Sequence, residues 1–184
     1  MKDLIRAHAG LLFAGVATFV MMGAGQSLYG PALPAFSRIF AVSEAQAGVL
    51  ISAHWVGCFI GVAIMYLRGS GITPRHALAA MALGAAGVAA LAGWWTTVAG
   101  AMVFGMGYGL STAVFNPRVL KAFGPQGPSM LSLLNATFGV GAIVAPLVFV
   151  AIGSDPRWSF GLTAAFAAAI WLFAGPAGRE AGAA

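Results

Sequence analysis

Six long apolar segments follow one another in this chain, and none carries Asp, Glu, Lys or Arg near its centre. The four acids, Asp3, Glu44, Asp155 and Glu180, fall at segment ends or in loops. A hydrocarbon core about 30 Å thick requires about 20 apolar residues per helix. The segments at 10–36, 45–67, 75–95, 97–118, 129–152 and 158–176 are of that length. Only 7% of the 184 residues are charged and 60% are hydrophobic, whereas a soluble domain carries about 25% charged residues. The chain therefore reads as all-α integral membrane: one domain of six transmembrane helices, with no soluble domain or linker.

The net charge of +5 is distributed by topology. Lys2 and Arg6 precede the first segment, Arg68 and Arg75 lie between the second and third, Arg118 and Lys121 follow the fourth, and Arg179 follows the sixth. The alternate loops hold Arg38 and Arg157 alone. Basic residues favour the cytoplasmic side, so both termini are expected in the cytoplasm. This explains the basic character through contact with the lipid bilayer and its anionic heads, and not through nucleic acid. Cys58 is the one cysteine, so no intrachain disulfide forms. The first apolar stretch is too long for a signal-peptide core and is expected to be a retained helix.

Loops are read at 37–43 and at 68–74, where Gly69, Gly71 and Pro74 stand. A turn is expected at Trp94 and Trp95, amphipathic rings that favour the interface. Gly124, Pro125, Gly127 and Pro128 break the chain before the fifth segment, and Ser154, Asp155 and Pro156 before the sixth. An internal repeat is visible. Pro34, Arg38 and Phe40 close the first segment as Pro117, Lys121 and Phe123 close the fourth, and His54 then aligns with Asn135 after a two-residue shift. Two copies of a three-helix unit, the second inverted, make a 3+3 inverted repeat; chance likeness between two Pro-ended apolar helices is the alternative. The third and sixth segments hold almost no polar groups and suit a peripheral place. Gly57 with Gly61, and Gly105 with Gly109, are small-residue pairs that let helices approach closely.

Polar groups in hydrocarbon need partners and tend to face an interior or a cavity. Tyr108, Thr112 and Asn116 recur at four-residue spacing on one helix face, with Ser111 beside them. The first segment offers Gln26 and Tyr29, the second His54, and the fifth Asn135 with Ser132 nearby. Gln26, Tyr29, His54, Tyr108, Thr112, Asn116 and Asn135 are the candidate lining of a solute cavity. The competing reading is structural. Hydroxyls such as those of Thr112, Ser111 and Ser132 bond readily to their own helix, while an amide is harder to satisfy there. His54 is the candidate proton site, since an imidazole titrates near neutrality; a neutral His bonded to a neighbouring helix is the alternative. His54, Cys58, Met102 and Met106 are soft donors that would suit Cu(I). Their spacing matches no specific metal motif, and the methionines point away from the Tyr108 face, so no metal site is assigned. No nucleophile–base–acid set or phosphate-binding glycine loop occurs. The chain is not expected to be an enzyme or to carry a cofactor.

Asn116-Pro117, Gly124-Pro125, the run Leu131 to Ala136, Gly141 and Ala145-Pro146 resemble the fourth-to-fifth-span region of the fucose-permease branch of the major facilitator superfamily. Pro31 to Pro34 with Phe40 and Gln46 is similar to that branch's first loop, and Pro156 to Phe160 resembles the superfamily's approach to the sixth span. The likeness covers most of the chain, as an N-terminal half only. It implies half of a major facilitator fold. The departures are specific. Where that branch's proton-coupled sugar symporters have a first-span Asp and a fourth-span Glu, this chain has Gly30 and Thr112. The loop between the second and third spans keeps Gly71 and arginines but lacks the usual Asp. Arg68, Arg75, Arg118 and Lys121 are the residues left to any cytoplasmic loop gating.

The chain ends in a polar, small-residue tail from Gly175 to Ala184, and a natural half-size protein is expected. A two-fold homodimer, or a pairing with a second six-helix half, would rebuild the full arrangement. The leading expectation is a half-size secondary transporter or facilitator of a small polar or amphipathic solute, in a bacterial inner membrane. The alternatives are a non-transport scaffold or assembly subunit of a larger membrane complex, and a copper or other soft-metal importer.

Overall fold

A computed structural model describes residues 2–175. Position 176, the expected end of the sixth segment, and the tail with Arg179 and Glu180 lie outside the described residues. Among the described residues there are nine α-helices and no strand. They are α1 (Lys2–Ala7), α2 (Ala9–Ser27), α3 (Tyr29–Phe40), α4 (Glu44–Ala47), α5 (Val49–Arg68), α6 (Pro74–Ala90), α7 (Trp94–Phe123), α8 (Gly127–Ala151) and α9 (Pro156–Phe173). Short 3-10 turns at Gly69–Gly71 and Gly124–Gln126 complete the chain. Three stretches are long and apolar enough to cross a membrane: Ala9–Ser27, Glu44–Arg68 and Trp94–Ala151. The third contains both α7 and α8.

Helix ends depart from the hydropathy boundaries for local reasons. The first segment relaxes at Leu28, where α2 gives way to α3 while keeping helical dihedrals. Pro31 has no N–H to offer the Ser27 carbonyl four residues back. The α3 helix then runs on to Phe40, four residues past 36, so most of the expected 37–43 loop is helical. It stops where Ala41 turns left-handed (φ 52°) and the Ser37 hydroxyl donates to the Val42 carbonyl at 2.6 Å. Ser43 and Gln46 form a reciprocal capping box that starts α4, a pattern that satisfies two free backbone donors.

The α6 helix ends at Ala90 and not at 95. Trp94 and Trp95 are not in the turn; they open α7. Trp94 packs edge-on against Phe40 at 5.7 Å. With 30 residues, α7 is about 45 Å long and outruns a hydrocarbon core of about 30 Å. That extra length carries it past Pro117 and the expected end at 118.

The packing is pairwise. α7 is held between α5 and α6, α2 packs on α8, and α9 packs on α6 while touching α2. Glycines set the separations. Gly57 and Gly61 face the Met102 and Met106 carbonyls, and Gly105 and Gly109 face the His54 and Cys58 carbonyls, so the two glycine pairs read from the sequence pack on each other. A Cβ at any of the four would collide with backbone. The α2–α8 crossing is built alike, with Gly23 on the Phe138 carbonyl and Gly141 on that of Val20. Such contacts let packing forces act where lipid removes the hydrophobic drive between helices.

Candidate functional site

The close α5–α7 crossing fixes His54, because Gly105 lies against its main-chain carbonyl. The imidazole is 1% exposed and sits among four rings: Tyr29 at 5.4 Å, Trp55 at 5.4 Å, Phe104 at 5.5 Å and Tyr108 at 5.3 Å. Three of the four meet it edge-on, the arrangement that aromatic quadrupoles favour. Neither ring nitrogen of His54 has a hydrogen-bond partner, and neither does the buried Tyr29 hydroxyl. One turn before Tyr29, Gln26 accepts a hydrogen bond from the Tyr108 hydroxyl at 3.3 Å, tying α2 to α7. Tyr29 also packs on Phe160 of α9 at 5.2 Å, and Tyr108 on Phe138 of α8 at 6.3 Å.

Four of the seven expected lining residues, Gln26, Tyr29, His54 and Tyr108, are thus brought together. Thr112 is one turn further along α7, and its hydroxyl donates to the Tyr108 carbonyl at 3.2 Å. Asn116 is a further turn away, about 12 Å from Tyr108 along the axis, with a buried, unpartnered Oδ1. Asn135 is exposed and spends its amide on the Leu131 carbonyl of its own helix at 3.0 Å. It is unlike the buried His54 with which the repeat aligns it. Ser132 donates to Pro128, and Ser111 meets the Met81 sulfur at 3.4 Å.

The sequence reading missed Trp55, Phe104, Phe138 and Phe160. The ring of Trp55, directly after His54, was the available signal. No periodicity within one helix reveals a ring supplied by another.

Among the described residues no group of three or more His, Cys, Asp or Glu could hold a metal ion. Met102 and Met106 lend their main chain to the Gly57 and Gly61 contacts.

At the end of the bundle that holds the turn after α5, the arginines act as ties. Arg118 donates to the Ile72 carbonyl at 3.2 Å and to Val114 at 3.0 Å. Arg75 lies over the Trp171 ring at 4.9 Å and reaches the Leu172 carbonyl at 3.4 Å. Arg68 and Lys121 are exposed.

The family model of the Major Facilitator Superfamily matches residues 15–182. The chain belongs to the major facilitator superfamily. The match is to the superfamily as a whole and does not single out its fucose-permease branch. No curated protein and no solved structure gives a significant match. Superfamily membership and the apolar helices make this an integral membrane protein of the transporter kind.

Proposed function

We propose that the chain is a half-size facilitator of a small polar or amphipathic solute, working as a dimer of six-helix halves. The observation that carries this reading is the group Gln26, Tyr29, His54 and Tyr108. In hydrocarbon, polar atoms left without partners are costly. Here the His54 nitrogens and the Tyr29 hydroxyl are left so beside a weak, 3.3 Å interhelical bond. A solute with both donors and acceptors would offset that cost. The aromatic rings around it would favour a flat or amphipathic body.

The packing supports a 3+3 arrangement. Exchanging α2–α3 with α7, α5 with α8, and α6 with α9 turns the α5–α7 contact into α8–α2 and the α6–α7 contact into α9–α2, and returns α6–α9 to itself. All of these contacts occur. The basic ends support the orientation: Arg118 meets Ile72 and His8 packs on Phe123 at one end, while Arg38 and Arg157 share a cleft at the other. With six spans, both termini then lie on the cytoplasmic side of a bacterial inner membrane. The outer faces of α5 and α8 expose Val56, Phe59, Ile60, Val140, Ile143 and Leu147, and these two helices form the seam between halves. Arg118 and Arg75 would steady the cytoplasmic loops as the halves rock.

His54 has no carboxylate among its ring neighbours, so movement down the solute's own gradient is the preferred mode. The test is a thermal-shift screen of small polar and amphipathic solutes, followed by counterflow in proteoliposomes. A solute that stabilises the wild type but not Tyr108→Phe, and that exchanges across the bilayer, supports the proposal. If no solute does either, and the chain instead co-purifies at fixed stoichiometry with a larger complex, the transport reading fails.

A further inference from the structure

Three cavities meet around the start of α9. The first, about 440 Å³, is the polar one: it is lined by Arg38 from α3 and by Ser154, Asp155, Arg157 and Trp158. Among the described residues neither guanidinium has an ion-pair or side-chain hydrogen-bond partner. The Asp155 carboxylate is already engaged, accepting from the Arg157 backbone N–H at 2.8 Å.

The second cavity, about 550 Å³, continues from Arg157 and Trp158 down the groove between α6 and α9. Its walls are Ala86, Ala89, Ala90, Gly161 and Ala164, side chains too short to close the gap. The third, about 380 Å³, lies on the opposite flank of α9, against α2 and α8. Its lining includes Val20, Val144, Val148, Leu162 and Phe166. The two hydroxyls there are spent, with Thr163 donating to Ser159 at 2.9 Å and Ser159 to Asp155 at 3.3 Å. Leu162 borders both apolar grooves. All three cavities lie towards the end of the bundle where α3 finishes and α9 begins.

We propose that one diacyl anionic phospholipid straddles α9, its phosphate held by Arg38 and Arg157 and its two chains lying in the grooves on either side of the helix. A cleft lined by two arginines that have no ion-pair partner among the described residues matches a phosphodiester, which arginine engages through paired N–H groups. Grooves that open in hydrocarbon and offer no polar partner are filled by acyl chains and not by water. The inference rests only on the chain being a membrane protein, so it stands or falls apart from solute transport.

The test is native mass spectrometry of the full chain released from nanodiscs containing equal phosphatidylglycerol and phosphatidylethanolamine. The wild type is expected to retain one phosphatidylglycerol per chain in preference to phosphatidylethanolamine. Arg38→Gln with Arg157→Gln should lower that preference roughly thirtyfold, since each basic side chain near the surface favours anionic lipid by about 1 kcal/mol. Gly161→Leu should also reduce retention, because a Cβ there meets only the Ala89 Cβ at 4.0 Å and the added side chain fills the α6–α9 groove. It carries the test if the double arginine variant fails to fold. Equal retention of the two lipids, an unchanged preference in the arginine variant, unchanged retention in Gly161→Leu, or displacement by inorganic phosphate alone would each overturn the proposal.

Discussion

Gly105 of α7 lies directly against the main-chain carbonyl of His54 on α5. One turn on, Gly109 meets the carbonyl of Cys58 in the same way. These contacts decide how near the two helices come, and so whether the His54 ring reaches Tyr108 and Phe104. Gly105→Val is therefore expected to force α5 from α7 and to cost about 1–3 kcal/mol, the usual range for overpacking. Gly139→Ala is the control: a Cβ there meets nothing within 4 Å, and replacing a mid-helix glycine gains roughly 0.5–1 kcal/mol. Unfolding in mild detergent, followed by helicity, measures both.

Tyr108 and Gln26 form a bond between helices distant in sequence, and its worth is modest. Interhelical hydrogen bonds in membranes average about 0.6 kcal/mol by double-mutant cycle. The Tyr108→Phe and Gln26→Leu cycle should return a coupling of about that size. The same Tyr108→Phe change is expected to lower solute exchange far more than so small a loss of stability would. Parallel unfolding and exchange measurements separate the two effects.

His54 gives the opposite signature. Its nitrogens bond to nothing, so His54→Leu forfeits no hydrogen bond, and removing unsatisfied polar atoms offsets much of the lost ring contact. Stability within about 1 kcal/mol of the wild type is expected, together with loss of solute exchange. Equal exchange by the two proteins would assign His54 to packing alone. Tyr29, Trp55, Phe104 and Tyr108 are the rings facing it. A pH step without a solute gradient should accordingly drive no uptake.

Arg118 holds the turn between α5 and α6 through the Ile72 carbonyl. A hydrogen bond from a charged donor contributes about 1.5–3 kcal/mol. Arg118→Ala should speed amide exchange across residues 69–73 by about tenfold or more while leaving the centre of α5 protected. Mass-resolved hydrogen exchange reads both regions in one experiment.

The membrane character of this chain was legible in runs without charge and in paired glycines, and its superfamily in the resemblance carried by Asn116-Pro117, Gly124-Pro125 and Ala145-Pro146. Gly57 with Gly61 and Gly105 with Gly109 are a clear case, since four-residue spacing survives folding unchanged. The helix ends were less legible. Pro31 loosens α2 at Leu28 by withdrawing one donor, and α7 runs on through Pro117; hydropathy registers neither backbone effect. The site was half legible. Gln26, Tyr29, His54 and Tyr108 could be named because polar groups in apolar helices stand out. Phe104 and Phe160 could not, since an aromatic ring in hydrocarbon looks the same wherever it faces. Asn135 was named because an amide is hard to satisfy within one helix, whereas here its amide donates to the Leu131 carbonyl of its own helix.

The central claim is that two six-helix halves make the working unit. Native mass spectrometry of the full chain from lipid nanodiscs, with tagged and untagged copies mixed before reconstitution, tests it most directly. The account predicts particles of two chains, including mixed pairs, that weaken when Ile143→Asp and Phe59→Asp place charges on the exposed faces of α8 and α5. A single chain per particle at every lipid ratio, with no mixed pairs, would contradict it.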